Sequence, residues 1–466
     1  MKKSLCLNMI VKNESHIIEE TLIQLLNTIH IDYWVISDTG SNDNTIQIIL
    51  NTFKKFNIPG ELYEDEWKNF GYNRSLALNY AYNKTDYLLI FDADDLIHSL
   101  SNNNPNNPNN PNNNLNKLIT IDHLKKDIYY ILFKLGSINY YRRALVSNKI
   151  KWKFVGVTHE YIENLEPING SEYINDLFFI EARTCGNRSK NLNKYIDDAL
   201  LLENAYDNIE LYENDLQLRN RYGYYCGQSF HDGGNIEKAI KWFEKTIDSD
   251  YYSQYKYNAC VKCGDCYNNL GNHEKALVMW EKSYEFDNMR PEGISKLMQY
   301  YYVNERYLMV CSLYKKFKHL TIDDAFEDKI FLDITKYQRI HYYSSICGYY
   351  CNENKDAYDA CKYLLLHRSD YMNITINNLR FYISELNDDN DNEFIDFCIK
   401  YINDETNLSD NRQLLLNICK DRICKNRINK NDINVVISQT GCSIINAIKS
   451  LLKNNNVVDA IINISN

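Results

Sequence analysis

The first hundred residues alternate between short apolar runs and segments whose apolar residues recur at helical spacing. Apolar runs bounded by polar residues are typical of buried strands, and spacings of three and four are typical of amphipathic helices. The pattern predicts strands at 5–11, 33–37, 61–63 and 87–91, separated by helices at about 14–27, 43–56 and 73–82. Repeated strand–helix units predict a mostly parallel sheet with right-handed crossovers, so the fold class predicted here is α/β.

Strand-like segments continue to about residue 190, with candidates at 128–133 and 173–180. Between them lies 101–114, a tract of Asn and Pro with one Ser. Because such a tract cannot bury apolar area, it is predicted to be a disordered surface loop. The first domain is therefore predicted to span 1–190.

From about residue 191 the apolar pattern is helical to the end of the chain. Cys226-Gly227 and Cys263-Gly264 lie 37 positions apart. Helix pairs that repeat at this length resemble tetratricopeptide repeats, which stack into a concave binding surface. We predict an all-α repeat domain at 191–385, which binds a protein partner or mediates self-association. A helical extension is predicted at 386–466.

The composition excludes some classes of partner. The net charge of −10 argues against nucleic acid, whose phosphates require a basic surface. No stretch approaches the roughly 20 apolar residues that a membrane helix needs. The apolar N-terminus is interrupted by Asn8 and is not followed by a small-residue cleavage site, so a cytoplasmic protein is expected.

The fourteen cysteines are scattered along the chain. Cys260, Cys263 and Cys266 recur every three positions, so they are either zinc ligands or one buried stripe of a helix. No second cysteine pair at ligand spacing lies nearby. Buried thiols in a reducing compartment are therefore the favoured interpretation.

Three carboxylates, Asp92, Asp94 and Asp95, directly follow the apolar run at 87–91. Ligands of open α/β sheets bind outside the carboxyl ends of the strands, which places these side chains where a substrate would lie. Two hard oxygen ligands suit Mg²⁺ or Mn²⁺ bridged to a diphosphate. The triplet alone is weak evidence, because an acidic chain contains many such triplets by chance.

Four motifs follow one another in this part of the chain: Val11-Lys12-Asn13-Glu14, Asp38-Thr39-Gly40-Ser41-Asn42-Asp43-Asn44-Thr45, Trp67-Lys68-Asn69-Phe70-Gly71-Tyr72-Asn73-Arg74 and Asp92-Ala93-Asp94-Asp95. Their order and spacing resemble the N-terminal half of the family-2 glycosyltransferases. The segment from Trp152 through Gly156 to His159-Glu160, preceded by arginines, resembles the acceptor half of the same family. The resemblance covers roughly 4–190.

This resemblance implies a GT-A fold and a metal-dependent glycosyltransferase that uses Mn²⁺ or Mg²⁺. The donor implied is a nucleoside diphosphate sugar, and we expect a UDP-sugar. The acceptor is a hydroxyl group of a glycan, a protein or another molecule. We expect inversion at the transferred carbon.

The resemblance also implies roles for individual side chains. Asp94 is the direct metal ligand, and Asp92 faces the metal or the ribose. Asp95 either orients these two carboxylates or caps a helix. Glu160 is the base that takes the acceptor proton, and His159 is a further metal ligand; the alternative is that the two residues are a strand-end pair that satisfies backbone groups. Neighbouring residues of a strand point to opposite faces, so His159 and Glu160 serve one site only if they lie in a loop or bulge.

The remaining implied contacts are to the donor. Asp38 bonds the base or ribose, Asn13 and Glu14 touch the nucleotide, and Arg74 and Arg188 contact the diphosphate. Most of these residues also have a plainer interpretation. Asp38 suits a turn, Asn13 and Glu14 suit a helix cap, and Arg74 suits a surface ion pair.

Three other functions compete with this one. A nucleotidyltransferase should carry a loop rich in Gly and Arg after the first strand, and Val11-Lys12-Asn13-Glu14-Ser15 lacks one. A phosphatase with Asp92 as its nucleophile would normally carry Thr or Val at Leu96. A non-catalytic repeat scaffold with a vestigial transferase domain is a third alternative, against which the intact carboxylates argue.

Overall fold

The structure is a computed structural model that describes residues 2–100, 118–136, 138–211, 215–320, 332–333, 335–367, 369–385, 394, 397, 430–442, 446–447, 450–451, 454 and 456–465. The tract at 101–114, predicted to be disordered, lies outside the described residues. Much of the predicted extension at 386–466 lies outside them as well. The chain divides into two compact units, Met1–Tyr251 and Tyr252–Asn466.

The first unit contains all the described strands. They are β1 (Leu5–Val11), β2 (Tyr33–Asp38), β3 (Gly60–Glu64), β4 (Tyr87–Ile90), β5 (Leu96–Ser99), β6 (Ile128–Leu135), β7 (Ile138–Ser147), β8 (Trp152–Val155), β9 (Tyr161–Asn164), β10 (Ser171–Ile174) and β11 (Phe178–Glu181). One sheet has the order β3-β2-β1-β4-β7-β6-β11-β5, with β10 paired to β6. Its first four strands are parallel, and β7 is antiparallel to both of its neighbours. Strands β8 and β9 form a separate antiparallel pair.

Both faces of this sheet are covered. Helices α1 (Ile18–Thr28) and α2 (Thr45–Phe56) contribute to the core on one face, and α3 (Phe70–Ala81) packs on the other together with β8 and β9. Alternate residues of β1 serve the two cores: Leu7 packs with the first, and Cys6 packs with the second. A strand buried on both faces is apolar throughout, which is why its sequence is a continuous apolar run.

The remaining helices follow the strands. The first unit contains α4 (Lys194–Asp207), α5 (Leu216–Asp232) and α6 (Ile236–Asp248). The second unit contains α7 (Ser253–Asn269), α8 (His273–Phe286), α9 (Glu292–Val303), α10 (Tyr307–Phe317), α11 (Thr335–Cys351), α12 (Asn354–Leu366), α13 (Met372–Leu379), α14 (Lys430–Thr440) and α15 (Val457–Ser465). Among the described helices, none is both long and apolar enough to cross a bilayer.

The repeat predicted from the cysteine–glycine pairs matches two pairs of helices. Gly227 of α5 packs against Phe243 of α6, and Gly264 of α7 packs against Trp280 of α8. In both pairs an added Cβ would meet the aromatic ring closer than 3 Å, so the small residue lets the helices touch. Cys260, Cys263 and Cys266 are thiols rather than disulfides, and all three are fully buried along α7.

The predicted fold class is confirmed: a mostly parallel sheet with alternating helices precedes the helical part. Two details were predicted wrongly, and one of the two alternatives for Asp95 is excluded. The strand candidate at 173–180 is two strands, β10 and β11. Helix α3 begins at Phe70 rather than at residue 73, because Asn69 caps it. Asp95 caps no helix, since the strand β5 follows it.

The boundary at 190/191 stays a prediction; the last strand ends at Glu181, and α4 begins at Lys194.

Candidate functional site

The carboxyl ends of β1, β2 and β4 meet at one edge of the sheet. Val11, the last residue of β1, is level with Asp38, the last residue of β2. Ile90 of β4 pairs with Asn8 of β1, so Asp92 follows at the same edge. Parallel strands therefore bring three motifs together that are distant in sequence, at the place where α/β sheets bind their ligands.

Four charged side chains form a continuous row of ion pairs here. Arg74 Nε lies 2.8 Å from Glu160 Oε1, and Arg74 Nη2 lies 2.6 Å from Asp92 Oδ1. Arg142 Nη1 donates to the other oxygen of Asp92 across 3.2 Å. The side chains of Arg74 and Glu160 are each only 11% exposed. Burial opposes ionisation of Asp92, but the charges of Arg74 and Arg142 outweigh it and hold the pKa of this carboxyl well below its usual range.

Helix α3 positions Arg74. Asn69 accepts a hydrogen bond from the backbone N–H of Tyr72, which caps the first turn. Asn73 is fully buried, and its side-chain amide bonds the backbone of the segment before the helix. The start of α3 is thereby fixed, and Arg74 in its second turn points into the row of ion pairs.

The turn between β8 and β9 positions Glu160. His159 has a φ of +51° in this turn, which is not a strand conformation. The side chains of His159 and Glu160 therefore need not point to opposite faces, as they would in a strand. The turn rests on α3, because Gly71 faces the carbonyl oxygen of Gly156. A Cβ at Gly71 would lie 2.2 Å from that oxygen. The helix that carries Arg74 and the turn that carries Glu160 are therefore in direct backbone contact.

A second acidic group lies beside the row. Glu14 accepts from the backbone N–H of Asn187 at 3.0 and 3.1 Å, and Asp94 Oδ2 accepts from that of Gly186 at 3.1 Å. A Cβ at Gly186 would lie 3.1 Å from Asp94 Oδ2 and 3.4 Å from Glu14 Oε1, so glycine permits this close approach. Burial raises the pKa of both carboxyls, and a neighbouring carboxylate adds to the rise in each: Asp94 for Glu14, and Asp92 for Asp94.

Asp95 is a third member of this acidic group. It is 3% exposed, and its Oδ2 has no hydrogen-bond partner among the described residues. Burial, followed by repulsion from Asp92, raises its pKa to about 8. Carboxylates that burial and mutual repulsion make costly to ionise are relieved by a cation.

The oxygen donors fit a divalent cation of the Mg²⁺ or Mn²⁺ type. Such ions are often held by one or two carboxylates, with water and substrate phosphates completing the shell. Within the described residues, no group of three His, Cys, Asp or Glu side chains is arranged to hold a metal. The roles of Asp94 and Asp92 as metal ligands stay predictions.

The residues predicted for the nucleotide hold the neighbouring turns in place. Asp38 Oδ1 accepts from the N–H groups of Gly40 and Ser41 at 2.9 and 2.7 Å. Asn13 Oδ1 accepts from the N–H of Asn42 at 2.8 Å. Asp38 Oδ2 is buried without a hydrogen-bond partner in the described part of the chain, which leaves one acceptor at this edge.

His159 and Arg188 have other contacts. The His159 ring stacks on Tyr225 with centroids 4.1 Å apart, and its backbone oxygen accepts from Arg221 Nη2 at 2.9 Å. Removal of the imidazole from water, with the charges of Arg221 and Arg188 nearby, lowers the pKa of His159 to about 4. Arg188 pairs with Asp198 and lies over the ring of Phe70. The metal role of His159 and the diphosphate role of Arg188 stay predictions.

Sequence reasoning missed three residues of this site. Arg142 bonds Asp92, Arg183 Nε donates to the backbone oxygen of Asp94 at 2.6 Å, and Gly186 packs on Asp94. Arg142 carried a sequence signal, as one of two adjacent arginines in the segment now seen as β7. That pattern did not show which arginine faces the site.

Arg74→Met is expected to lower the free energy of unfolding by about 3 kcal/mol, because it leaves the poorly exposed carboxylate of Glu160 without its cation and leaves Asp92 with Arg142 alone. Urea denaturation of the purified chain measures this loss. Lys84→Met is the control, since Lys84 pairs with Glu61 at the surface, where such pairs contribute about 0–1 kcal/mol. Equal losses in the two variants would contradict the structural importance of the Arg74 pairs.

Comparison with known proteins agrees with the sequence resemblance. The family model described as Glycosyl transferase family 2 matches residues 6–99. The predicted glycosyltransferase resemblance is thereby confirmed for this segment, which contains β1 to β5. A search of curated proteins gives no match.

Solved structures with some similarity include a mannosyltransferase from Pyrobaculum calidifontis in complex with GDP-Man and Mn²⁺, at 21% identity and a TM-score of 0.19. That alignment covers 21% of this chain and 29% of the mannosyltransferase, so the chain spans less than a third of it. S. aureus TarS 1–349 in complex with UDP-GlcNAc is 13% identical with a TM-score of 0.32, covering 60% of this chain and 91% of TarS 1–349. A tetratricopeptide repeat protein from Parabacteroides merdae is 15% identical with a TM-score of 0.26, covering 56% and 97%. At such TM-scores these similarities carry no argument.

Proposed function

We propose, on the premise that residues 6–99 are a glycosyl transferase family 2 domain, that the chain transfers a sugar from a nucleoside diphosphate sugar to an acceptor hydroxyl. The observation that carries this proposal is the row Glu160–Arg74–Asp92, which joins an acceptor-side carboxylate to the acidic edge of the sheet. The donor we propose is a UDP-sugar, and the transfer is proposed to invert the anomeric carbon.

On the donor side of the reaction, the negative charge of the departing diphosphate has to be neutralised. Asp94 and Asp92 would hold Mn²⁺ or Mg²⁺, which acts as a Lewis acid on the diphosphate. Asp38, Asn13 and Glu14 line the same edge and are proposed to bind the nucleotide. Arg74 was predicted to contact the diphosphate. Its two ion pairs favour instead a positioning role, in which it fixes Glu160 and Asp92 relative to each other.

The acceptor side needs a base. In the proposed reaction Glu160 takes the proton of the acceptor hydroxyl as that oxygen forms its bond to the anomeric carbon. The bond from this carbon to the diphosphate breaks, and the electron pair leaves with the nucleoside diphosphate. Attack opposite the leaving group inverts the carbon.

The helical repeats are proposed to recruit the acceptor or a protein partner, or to mediate self-association, because stacked helix pairs present concave surfaces. A chain truncated near residue 250, after α6, should then retain donor hydrolysis and lose transfer to its natural acceptor.

The proposed function is tested by incubating the purified chain with UDP- and GDP-sugars and Mn²⁺ and measuring released nucleotide. We expect release from at least one donor, and loss of that release when EDTA removes the metal. Release without Mn²⁺ would contradict the metal dependence. No release from any donor, with or without candidate acceptors, would favour the non-catalytic repeat scaffold.

A further inference from the structure

Arg142 differs from Arg74 in how it is held. Arg74 lies between two carboxylates, and its side chain is 11% exposed. Arg142 Nη1 donates to one carboxylate, that of Asp92, and the Arg142 side chain is 37% exposed. Arg142 therefore reaches solvent at the same edge of the sheet where Asp92 and Asp94 follow β4.

The surroundings of Arg142 fix the orientation of its guanidinium. The group lies over the ring of Phe133 at 4.8 Å from its centroid. Phe133 in turn stacks with Tyr140 at 5.7 Å. An arginine on an aromatic ring keeps a defined plane, and a planar guanidinium matches two phosphate oxygens at once.

We propose that Arg142 binds the terminal phosphate of the nucleoside diphosphate and stabilises the charge that develops there when the sugar departs. This inference rests on the proposed function. It assigns the diphosphate contact to a partly exposed arginine of β7 in place of Arg74. Charged donors aimed at a leaving group lower the barrier when they are already oriented.

Arg143 is a matched control on the other face of β7. Its Nε donates to the Tyr130 hydroxyl at 3.0 Å, and its Nη1 donates to the backbone oxygen of Ile162 at 3.4 Å. Arg143→Met therefore removes an equal charge from the adjacent position without touching the carboxylates at the sheet edge.

The test compares the affinities of UDP and UMP, and of GDP and GMP, in the presence of Mn²⁺ by titration calorimetry. We expect Arg142→Met to weaken diphosphate binding by about tenfold or more, since a hydrogen bond to a charged group contributes about 1.5–3 kcal/mol. Monophosphate binding should change by less than about twofold. Arg143→Met should keep the wild-type ratio of diphosphate to monophosphate affinity.

Arg142→Lys keeps the positive charge and loses the planar fork, so it should lose diphosphate affinity by a smaller factor. If Arg142→Met does not fold, Arg142→Lys alone tests whether Arg142 contributes to diphosphate affinity. The same titrations are repeated with EDTA in place of Mn²⁺, because a residue that only holds Asp92 acts through the metal. If the folded variants keep the wild-type affinity ratio, lose both ligands equally, or lose diphosphate affinity only when Mn²⁺ is present, Arg142 only holds Asp92 and the inference is overturned. If the wild-type chain binds neither UDP nor GDP, the proposed function itself fails, and the inference fails with it.

Discussion

Glu160→Gln is expected to slow sugar transfer by about 10²–10⁴-fold, the usual contribution of a positioned general base. Glutamine keeps the shape of the side chain and can accept a hydrogen bond from Arg74, but it cannot take the acceptor proton. Donor affinity should change little, because the nucleotide is proposed to bind at the ends of β1, β2 and β4. Steady-state transfer assays with the active donor measure the change.

Glu163→Gln is the control for this result. Glu163 lies in β9, three positions further on, where its Oε2 lies 3.9 Å from Lys153 Nζ. Transfer by this variant should stay near the wild-type rate. If Glu160→Gln instead lowers the melting temperature and leaves the turnover of folded protein unchanged, Glu160 is a structural partner of Arg74 and another group is the base.

His159→Ala, measured beside it, should weaken metal or donor binding if the imidazole is a ligand.

Asp94→Asn is expected to abolish transfer, because it removes the charge that would anchor the divalent cation at the diphosphate. That anchoring would stabilise the departing diphosphate by several kcal/mol. The fold should persist, since an amide oxygen can still accept from the Gly186 N–H and burial already makes the charged form of Asp94 costly. Mn²⁺-dependent binding of the donor, circular dichroism and transfer rate together measure the outcome.

Asp122→Asn provides the comparison for Asp94→Asn. The Asp122 carboxylate accepts from the Lys3 N–H at 2.7 Å, before the start of β1 and so at the opposite edge of the sheet. This variant should keep both metal-dependent binding and transfer. Full activity of Asp94→Asn would show that the metal is anchored elsewhere.

The sequence predicts the sheet well because buried parallel strands are apolar on both faces. The runs that become β1, β2 and β4 are short, continuous and bounded by polar residues, and each was located within two residues. The edge position of Asp38, Asp92 and Asp94 follows from this, because parallel strands end together. These residues needed no tertiary information beyond the strand order.

The ion pairs of the site could not be predicted in the same way. Arg74 and Glu160 meet only because α3 packs against the turn after β8, and nothing local to either segment encodes that contact. Arg142 faces the site, whereas Arg143 faces away, and this choice depends on the register of β7 against β6, where a bulge shifts the pairing. Contacts of this kind depend on how helices, strands and turns pack against one another, and a single sequence contains little information about that packing.

Some local motifs are compatible with both a ligand-binding role and a structural role, and the sequence alone does not distinguish the two. Asp38 was predicted either to bind the nucleotide or to hold a turn, and its two oxygens divide between these possibilities. Arg188 was predicted to contact the diphosphate, and it pairs with Asp198 of α4. The partner of a surface arginine depends on which helix lies nearby.

The contact between Gly71 and the carbonyl of Gly156 has a mechanical consequence. No side chain lies between α3 and the turn that carries Glu160 at this contact. The two segments therefore cannot shift relative to each other by a change of side-chain rotamer. Protein interiors are close-packed, so separating the two segments would open an empty gap. The spacing between Glu160 and Asp92, which Arg74 of α3 joins, is thus set by two backbones in direct contact. Any opening that admits substrate would have to come from segments that do not share this contact, such as the one that places Gly186 beside Asp94.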